Sequence, residues 1–237
     1  AQAILAPAQE SRPRQPSVAP TARAMAGAFK RWQCACGQVH FKLRGEPLAV
    51  FNCHCRSCVS VAAHCDAKAC GKNTSALTDG GGVAKALYYL LDVDLAGCKL
   101  PEMLAFVKVG ATGTNVRSYT KCCGTLMNTA GGSAFPAGFR PFNRRCIRNA
   151  DGTAFEPEGV VNVMAKYAHD PQAVPEPRRS MISASIARTF VAGVVAKRLG
   201  CSGIRSGRGD LRGPAFFSDG ADVEETVDVE ETLWVRH

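Results

Sequence analysis

The sequence predicts a mainly β fold with cysteine-rich turns and a helical extension at its C-terminal end. Two observations lead to this prediction. Short segments alternate polar with apolar residues, as half-buried strands do, and cysteines one or two residues apart lie on polar turns, as in β proteins that a metal stabilises. A hydrophobic fraction of 46% over 237 residues can supply the core of one large domain.

Strands are expected on both sides of these turns. Residues 38–45 alternate polar with apolar and predict one strand, and residues 48–51 predict a second strand that leads into the turn at Cys53. Residues 59–75 combine small, polar and apolar side chains and predict a short helix beside that turn. Further strands are expected at residues 86–93, 103–109 and 116–119.

The C-terminal part predicts a helix followed by an acidic tail. Between residues 178 and 199, apolar residues recur near helical spacing and indicate an amphipathic helix. The apolar face of this helix could lie on its own domain, on a partner or on a membrane surface. The segment DVEETV at 222–227 then recurs almost unchanged as DVEETL at 228–233. Two copies are too few for a solenoid and could form a docking tail or a solvated tail.

Three regions follow from these patterns. Residues 1–31 form a flexible or transit-like arm, because they are rich in Ala, Pro, Ser and Gln and contain Glu10 as their one acidic residue. Residues 32–170 form the domain, and residues 171–237 form the extension. The composition of the arm suggests import into the interior of an organelle, a chloroplast or a mitochondrion. Removal of an initiator methionine from a cytoplasmic protein is the alternative.

Charge and hydropathy argue against a nucleic-acid-binding protein and against a membrane-spanning protein. The formal net charge of +9 favours acidic partners without selecting among them. The basic residues are scattered along the sequence, which carries no nucleic-acid recognition motif. No run reaches the roughly 18 apolar residues that a transmembrane helix needs, so no membrane span is predicted.

The cysteines are the strongest chemical signal in the chain. The sequence has 12 cysteines, and most of them fall into three clusters that contain Cys34, Cys36, Cys53, Cys55, Cys58, Cys122 and Cys123. Thiolates at this spacing suit a tetrahedral soft metal, which means zinc first. A disulfide-stapled secreted protein is the alternative, but C-x-C and C-C pairs bridge poorly to each other, so a reducing compartment is favoured.

The order of the three clusters resembles the glutathione-dependent formaldehyde-activating family, also called the centromere protein V-like family. The pattern of this family is C-x-C-G-x-V-x-F, then C-H-C-x-x-C, then R-x-F-C-x-x-C-G-T. This sequence has CACGQVHF at 34–41, CHCRSC at 53–58 and RSYTKCCGT at 117–125. The resemblance covers roughly residues 32–130. It departs at Thr120, which stands where the third motif of the family has its first cysteine.

The resemblance implies an Mss4-like fold of stacked antiparallel β-sheets with zinc knuckles, and one or two zinc ions. It implies that the first and third clusters hold a structural zinc, with Cys122 in place of the cysteine missing at Thr120. If Cys122 is instead only a buried thiol, this zinc is lost. The resemblance also implies a second zinc with an open coordination position on the middle cluster. The expected ligands are Cys34, Cys36, Cys122 and Cys123 for the first ion, and Cys53, Cys55 and Cys58 for the second.

Two functions from different classes are compatible with these features. The first is an accessory or interaction subunit of an organellar protein complex, which would bind other subunits through residues 1–31 and 171–237. The alternative, implied by the resemblance, is a carbon–sulfur lyase whose three-cysteine zinc binds the sulfur of a glutathione-like adduct. In that case His54 or His64 could move a proton, because imidazole titrates near neutral pH. His64 could also be a metal ligand, although a lone histidine on a helix is more often a surface or core residue.

Overall fold

The structure is a computed structural model that describes residues 29–89, 92–95, 100–110, 116–130, 139–182 and 225–227, together with 184, 186–188, 191 and 195. Over these residues, twelve strands form one sheet of four strands and one sheet of eight. The prediction of a mainly β fold is therefore confirmed, while the Mss4-like arrangement stays a prediction. None of the helices in these ranges is long and apolar enough to span a bilayer.

The elements follow one another along the chain with a single long helix among the strands. The strands are β1 (Phe29–Gln33), β2 (His40–Arg44), β3 (Ala49–Cys53), β4 (Val83–Tyr89), β5 (Val93–Asp94), β6 (Leu104–Val109), β7 (Val116–Thr120), β8 (Leu126–Ala130), β9 (Phe139–Asn143), β10 (Ile147–Arg148), β11 (Val161–Val163) and β12 (Glu225–Val227). The helices are α1 (Arg56–Ala69) and the single turn α2 (Leu100–Met103).

The two sheets differ in how their strands pair. The small sheet has the order β10-β1-β2-β5, and all its pairs are antiparallel. The large sheet has the order β11-β3-β4-β9-β8-β7-β6-β12. Its inner pairs are antiparallel, whereas the two outermost strands, β11 and β12, pair in parallel with β3 and β6. Both outermost strands come from late in the sequence, so long connections bring them to the sheet.

Aromatic side chains join the two sheets. In β1 and β2 alternate residues are buried, so each strand turns one face inward. The rings of Trp32 and Phe41 stack with centroids 5.1 Å apart, and Phe41 lies 5.4 Å from Phe142 of β9. Tyr88 of β4 also packs edge-on against Phe142, with ring centroids 6.5 Å apart. One hydrophobic cluster therefore contains residues of both sheets and forms the core between them.

The helix α1 covers the opposite face of the large sheet. Val61, Ala62 and Cys65 of α1 are buried in a second hydrophobic cluster with Leu87 of β4 and Val107 of β6. The helix begins directly after β3, with Cys55 as its extended N-cap residue. As a result, the end of β3 and the first turn of α1 place the middle cysteine cluster against the sheet.

Several expected elements are found, with shifted bounds. Strands lie in or near the predicted ranges 38–45, 48–51, 103–109 and 116–119, and α1 overlaps the predicted helix. The segment expected as one strand at 86–93 is instead two strands, β4 and β5, which belong to different sheets. The strand β1 begins at Phe29, inside the range expected to be an arm.

The C-terminal extension lies only partly within the described residues. Residues 184, 186–188, 191 and 195 are helical, as the amphipathic pattern predicts. Ile186 is buried in the second hydrophobic cluster, whereas Val191 and Val195 are exposed. Residues 1–28 and 228–237 lie outside the described residues, so the transit-like arm and the docking tail stay predictions.

Candidate metal centres

Two turns bring the first and third cysteine clusters together. The turn between β1 and β2 carries Cys34 and Cys36, and the turn between β7 and β8 carries Cys122 and Cys123. All four Sγ atoms lie within 4.8 Å of one another, and the separations in contact range from 3.3 Å for Cys36–Cys122 to 3.9 Å for Cys122–Cys123. Tetrahedral zinc with bonds of about 2.3 Å places its sulfur ligands about 3.8 Å apart. The four-cysteine centre could therefore hold one metal ion.

Backbone and hydroxyl donors support these thiols. The Val39 amide donates to Cys34 Sγ over 3.3 Å, an interaction that stabilises a thiolate. The Thr125 hydroxyl lies 3.1 Å from Cys123 Sγ. Between Cys123 and Thr125, Gly124 adopts φ +69°, and a Cβ atom there would lie 2.9 Å from the Cβ of Ala69. Glycine thus allows this turn to approach α1 closely.

Without a metal, the thiols of Cys34, Cys122 and Cys123 differ in pKa. Burial raises the pKa of Cys34 to about 11, and it also raises the pKa of Cys122. Burial also raises the pKa of Cys123, but hydrogen bonds from Thr120 and Thr125 lower it by more, so that the pKa falls to about 6. Binding of a metal to all four sulfurs must therefore displace protons.

Thr120 faces the four-cysteine centre although it cannot replace a thiolate. Its buried side chain places Oγ1 3.3 Å from Cys123 Sγ. A cysteine at this position would consequently point to the same centre. A Thr120→Cys substitution can therefore test whether Cys122 supplies the metal ligand that the third motif of the family has at position 120.

The Cys122→Ser variant is expected to lose the metal of this centre, and adding Thr120→Cys is expected to restore it. The reason is that three thiolates with a serine hydroxyl bind zinc much more weakly than four thiolates. Metal per chain and the charge-transfer absorption of the cobalt-substituted protein measure the outcome. Cys70→Ser, at an exposed cysteine outside both centres, is the control. Full metal content in Cys122→Ser would show that Cys122 is not a ligand.

The middle cluster forms a second centre with three sulfurs. The Sγ atoms of Cys53, Cys55 and Cys58 lie within 4.8 Å of one another, and those of Cys53 and Cys55 are 3.4 Å apart. Cys53 and Cys58 are buried, while Cys55 is half-buried. The Cys58 amide donates to the carbonyl of Cys55 over 3.0 Å, which fixes the first turn of α1. The three-cysteine centre thus lies at the N-terminal end of this helix.

Two buried cations of the large sheet reach this centre, and neither was predicted from the sequence. Lys85 of β4 is 6% exposed, and its Nζ donates to Cys58 Sγ over 3.0 Å. Arg117 of β7 is 2% exposed, and its Nη2 donates to Ser57 Oγ over 3.1 Å. The available signal for Lys85 was its place as the one charged residue in the apolar strand VAKALYY. For Arg117 it was the arginine of the third motif.

These cations change the acidity of the three thiols. Hydrogen bonds from Cys53 and Cys55 lower the pKa of Cys58, and the positive charges of Lys85 and Arg117 lower it further. The hydrogen bond with Cys55 raises the pKa of Cys53, and burial adds to this effect. Burial lowers the pKa of Lys85, but the negative charges of Cys58, Cys53 and Cys55 together raise it by more. The opposite directions of the two pKa shifts favour a thiolate on Cys58 beside an ammonium on Lys85.

His54 is buried and contacts an asparagine. Its Nε2 lies 3.1 Å from Asn162 Oδ1, which also accepts a hydrogen bond from Asn52 Nδ2. Because Asn162 Nδ2 donates to the carbonyl of Pro175, Oδ1 is an acceptor and His54 Nε2 carries the hydrogen. Gly82 packs against this ring so closely that a Cβ atom there would lie 2.6 Å from Nε2. The role of His54 in proton transfer stays a prediction.

His64 lies on α1 and contacts the C-terminal strand. Its Nε2 is 2.8 Å from Glu225 Oε2 in β12. Among the described residues, the two groups that could hold a metal consist of cysteines alone, so His64 is not brought into either of them. Its role in proton transfer also stays a prediction.

The ten cysteines of the described ranges are free, so no disulfide joins them.

A scan against protein-family models finds no match to this chain, and no curated protein matches it. The similarity to the glutathione-dependent formaldehyde-activating family is therefore carried by the three motifs alone. The two cysteine centres rest on the geometry of the fold and do not depend on that similarity.

Proposed function

We propose that this protein binds two zinc ions, one in each cysteine centre, and that the three-cysteine centre acts on glutathione-like thiol adducts as a carbon–sulfur lyase. One observation supports this proposal most directly. The buried ammonium of Lys85 lies 3.0 Å from Cys58 Sγ, and the buried guanidinium of Arg117 is hydrogen-bonded to the neighbouring Ser57. Buried cations are costly unless negative charge accompanies them. The centre is thus suited to anionic ligands.

Charge counting indicates which kind of fourth ligand fits. Three thiolates and one divalent cation sum to a single negative charge. Lys85 and Arg117 place positive charge beside these sulfurs, which favours an anionic fourth ligand such as a thiolate. A closed structural zinc site takes all four ligands from the protein, whereas the described part of this chain brings three to this centre.

The residues around the centre have distinct roles in this proposal. When bound, zinc supplies a Lewis acid that stabilises a thiolate as it leaves carbon. Lys85 orients Cys58 and maintains positive charge beside the sulfurs, and Arg117 fixes Ser57 in the first turn of α1. His54 could transfer a proton through Nδ1, because its Nε2 is engaged by Asn162.

The accessory-subunit function stays a prediction. Its support lies in the altered third motif and in residues 1–31 and 171–237, of which long parts fall outside the described residues. The described pieces Ile186 and β12 pack against the domain of their own chain. The proposed location inside an organelle depends on the composition of the arm alone.

Metal analysis tests the proposed function. The wild-type protein is expected to contain two zinc ions per chain and the Cys55→Ser variant one, because the four-cysteine centre does not use Cys55. In the cobalt-substituted wild type, glutathione is expected to change the thiolate charge-transfer bands. The same addition should leave the spectrum of Cys55→Ser unchanged. One zinc ion in both proteins would mean that only the four-cysteine centre is filled, which would favour the accessory-subunit function.

A further inference from the structure

The last described strand of the chain completes the large sheet. The strand β12 pairs in parallel with β6, and Glu225 lies opposite Val107, Thr226 opposite Lys108 and Val227 opposite Val109. The Gly110 amide donates to the carbonyl of Val227 over 2.9 Å. A segment that follows the domain by more than forty residues therefore binds to it as an additional strand.

Side chains at the two ends of β12 determine how it binds. Val227 is 4% exposed and packs in the second hydrophobic cluster. The carboxylate of Glu225 accepts hydrogen bonds from Tyr119 over 2.9 Å and from Lys68, and lies 2.8 Å from the ring nitrogen of His64. Burial raises the pKa of Glu225, but these three neighbours lower it by more, so that the pKa falls to about 2. The carboxylate is consequently an anchor with three partners.

The β6 edge thus selects a simple pattern. Successive side chains of a strand point to opposite faces, so Glu225 and Val227 share the inner face while Thr226 is exposed. A segment that binds in the same way needs a glutamate, any residue that tolerates solvent, and then an aliphatic residue. The chain contains a second segment with this pattern six residues later, namely Glu231, Thr232 and Leu233.

We propose that the β6 edge is a docking site for either copy of the repeat, so that residues 231–233 can replace residues 225–227 in the same chain. The two copies differ only in valine against leucine at their last position. Docking of the second copy lengthens the connection that precedes it by six residues. Because the entropy of loop closure changes slowly with length, this lengthening weakens docking by less than about twofold.

Two registers explain why both copies keep the glutamate and the aliphatic residue at the same spacing. In each register one copy completes the sheet, and the other copy does not occupy this edge. The site on the domain is the same in both, since His64, Lys68 and Tyr119 belong to α1 and β7. The domain therefore recognises an extended peptide with a glutamate two positions before an aliphatic residue.

Amide hydrogen exchange at Gly110 tests this proposal in the full-length protein. In both registers the carbonyl of the docked aliphatic residue accepts from this amide. We therefore expect the single variants Glu225→Ala and Glu231→Ala to speed exchange at Gly110 by no more than about twofold. We expect the double variant to speed it by at least about tenfold, because charge-assisted hydrogen bonds are lost in both registers.

The double variant Glu224→Ala/Glu230→Ala is the matched control, because it removes the same charge from the preceding position of each copy. Metal content of the four-cysteine centre checks that every variant is folded. Exchange in Glu225→Ala as fast as in the double variant would overturn the proposal. So would protection of Gly110 in Glu225→Ala that depends on protein concentration, because the occupant would then be the tail of a second chain.

Discussion

The Cys123→Ser variant is expected to lose one metal ion and to unfold at least about 10 °C below the wild type. The four-cysteine centre joins a turn of the small sheet to a turn of the large sheet, so a metal bound there would link the two sheets. Structural zinc contributes its binding free energy to folding. A loss of about 1 kcal/mol lowers the melting temperature of a domain of this size by about 2–4 °C, and loss of the metal costs several times that amount.

Thermal unfolding with parallel metal analysis measures this effect. Cys65→Ser is the matched control, because Cys65 is also a buried cysteine but belongs to neither centre. The control accounts for the cost of burying a hydroxyl group. A strong chelator added to the wild type should reproduce the loss. Equal melting temperatures for Cys123→Ser and Cys65→Ser would mean that the four-cysteine centre does not hold the sheets together.

The Lys85→Met variant is expected to bind metal at the three-cysteine centre about 10 to 100 times more weakly. The variant loses the ammonium that donates to Cys58 Sγ, so this thiolate loses both a hydrogen bond and the adjacent positive charge in a buried site. The metal-free variant should be as stable as the metal-free wild type or more stable. Methionine is unbranched and adaptable, and without a metal Cys58 can bind a proton once the lysine charge is gone, so no unpaired charge stays buried.

Competition with a chromophoric chelator measures this affinity, and the four-cysteine centre of the same molecule is the internal reference. Lys42→Met removes an equal charge from an outward-facing position of β2 and should change neither centre. If Lys85→Met and the wild type release metal from the three-cysteine centre at the same chelator concentration, the charge of Lys85 does not contribute to metal affinity at that centre.

The sequence was most informative where the signal was local. Local patterns of polar and apolar residues predicted β2, β3, β6 and β7, and the spacing of the cysteines pointed to the seven sulfurs that come together within the described residues. The strand β1 was missed because Lys30 takes an inward position, where it pairs with Glu46 and lies 5.0 Å from the ring centroid of Phe155. The strand β12 was missed because Glu225 also faces inward, and its partners come from α1 and β7.

The rest of the site could not be predicted because it depends on distant pairs. Lys85 is 27 residues from Cys58, and Arg117 is 60 residues from Ser57. Only the packing of α1 on the large sheet brings them together. A lysine in an apolar strand can be recognised as unusual in the sequence, but its partner is fixed by the packing of α1 on β4.

The two outermost strands of the large sheet are the last strands to be synthesised, which affects the newly made chain. During synthesis on the ribosome, β3 and β6 emerge long before β11 and β12, so both borders of the growing sheet expose unpaired amide and carbonyl groups for some time. Such borders invite association with other chains. Until residues 161–163 and 225–227 leave the ribosome, neither border of the large sheet has the strand that covers it in the finished fold.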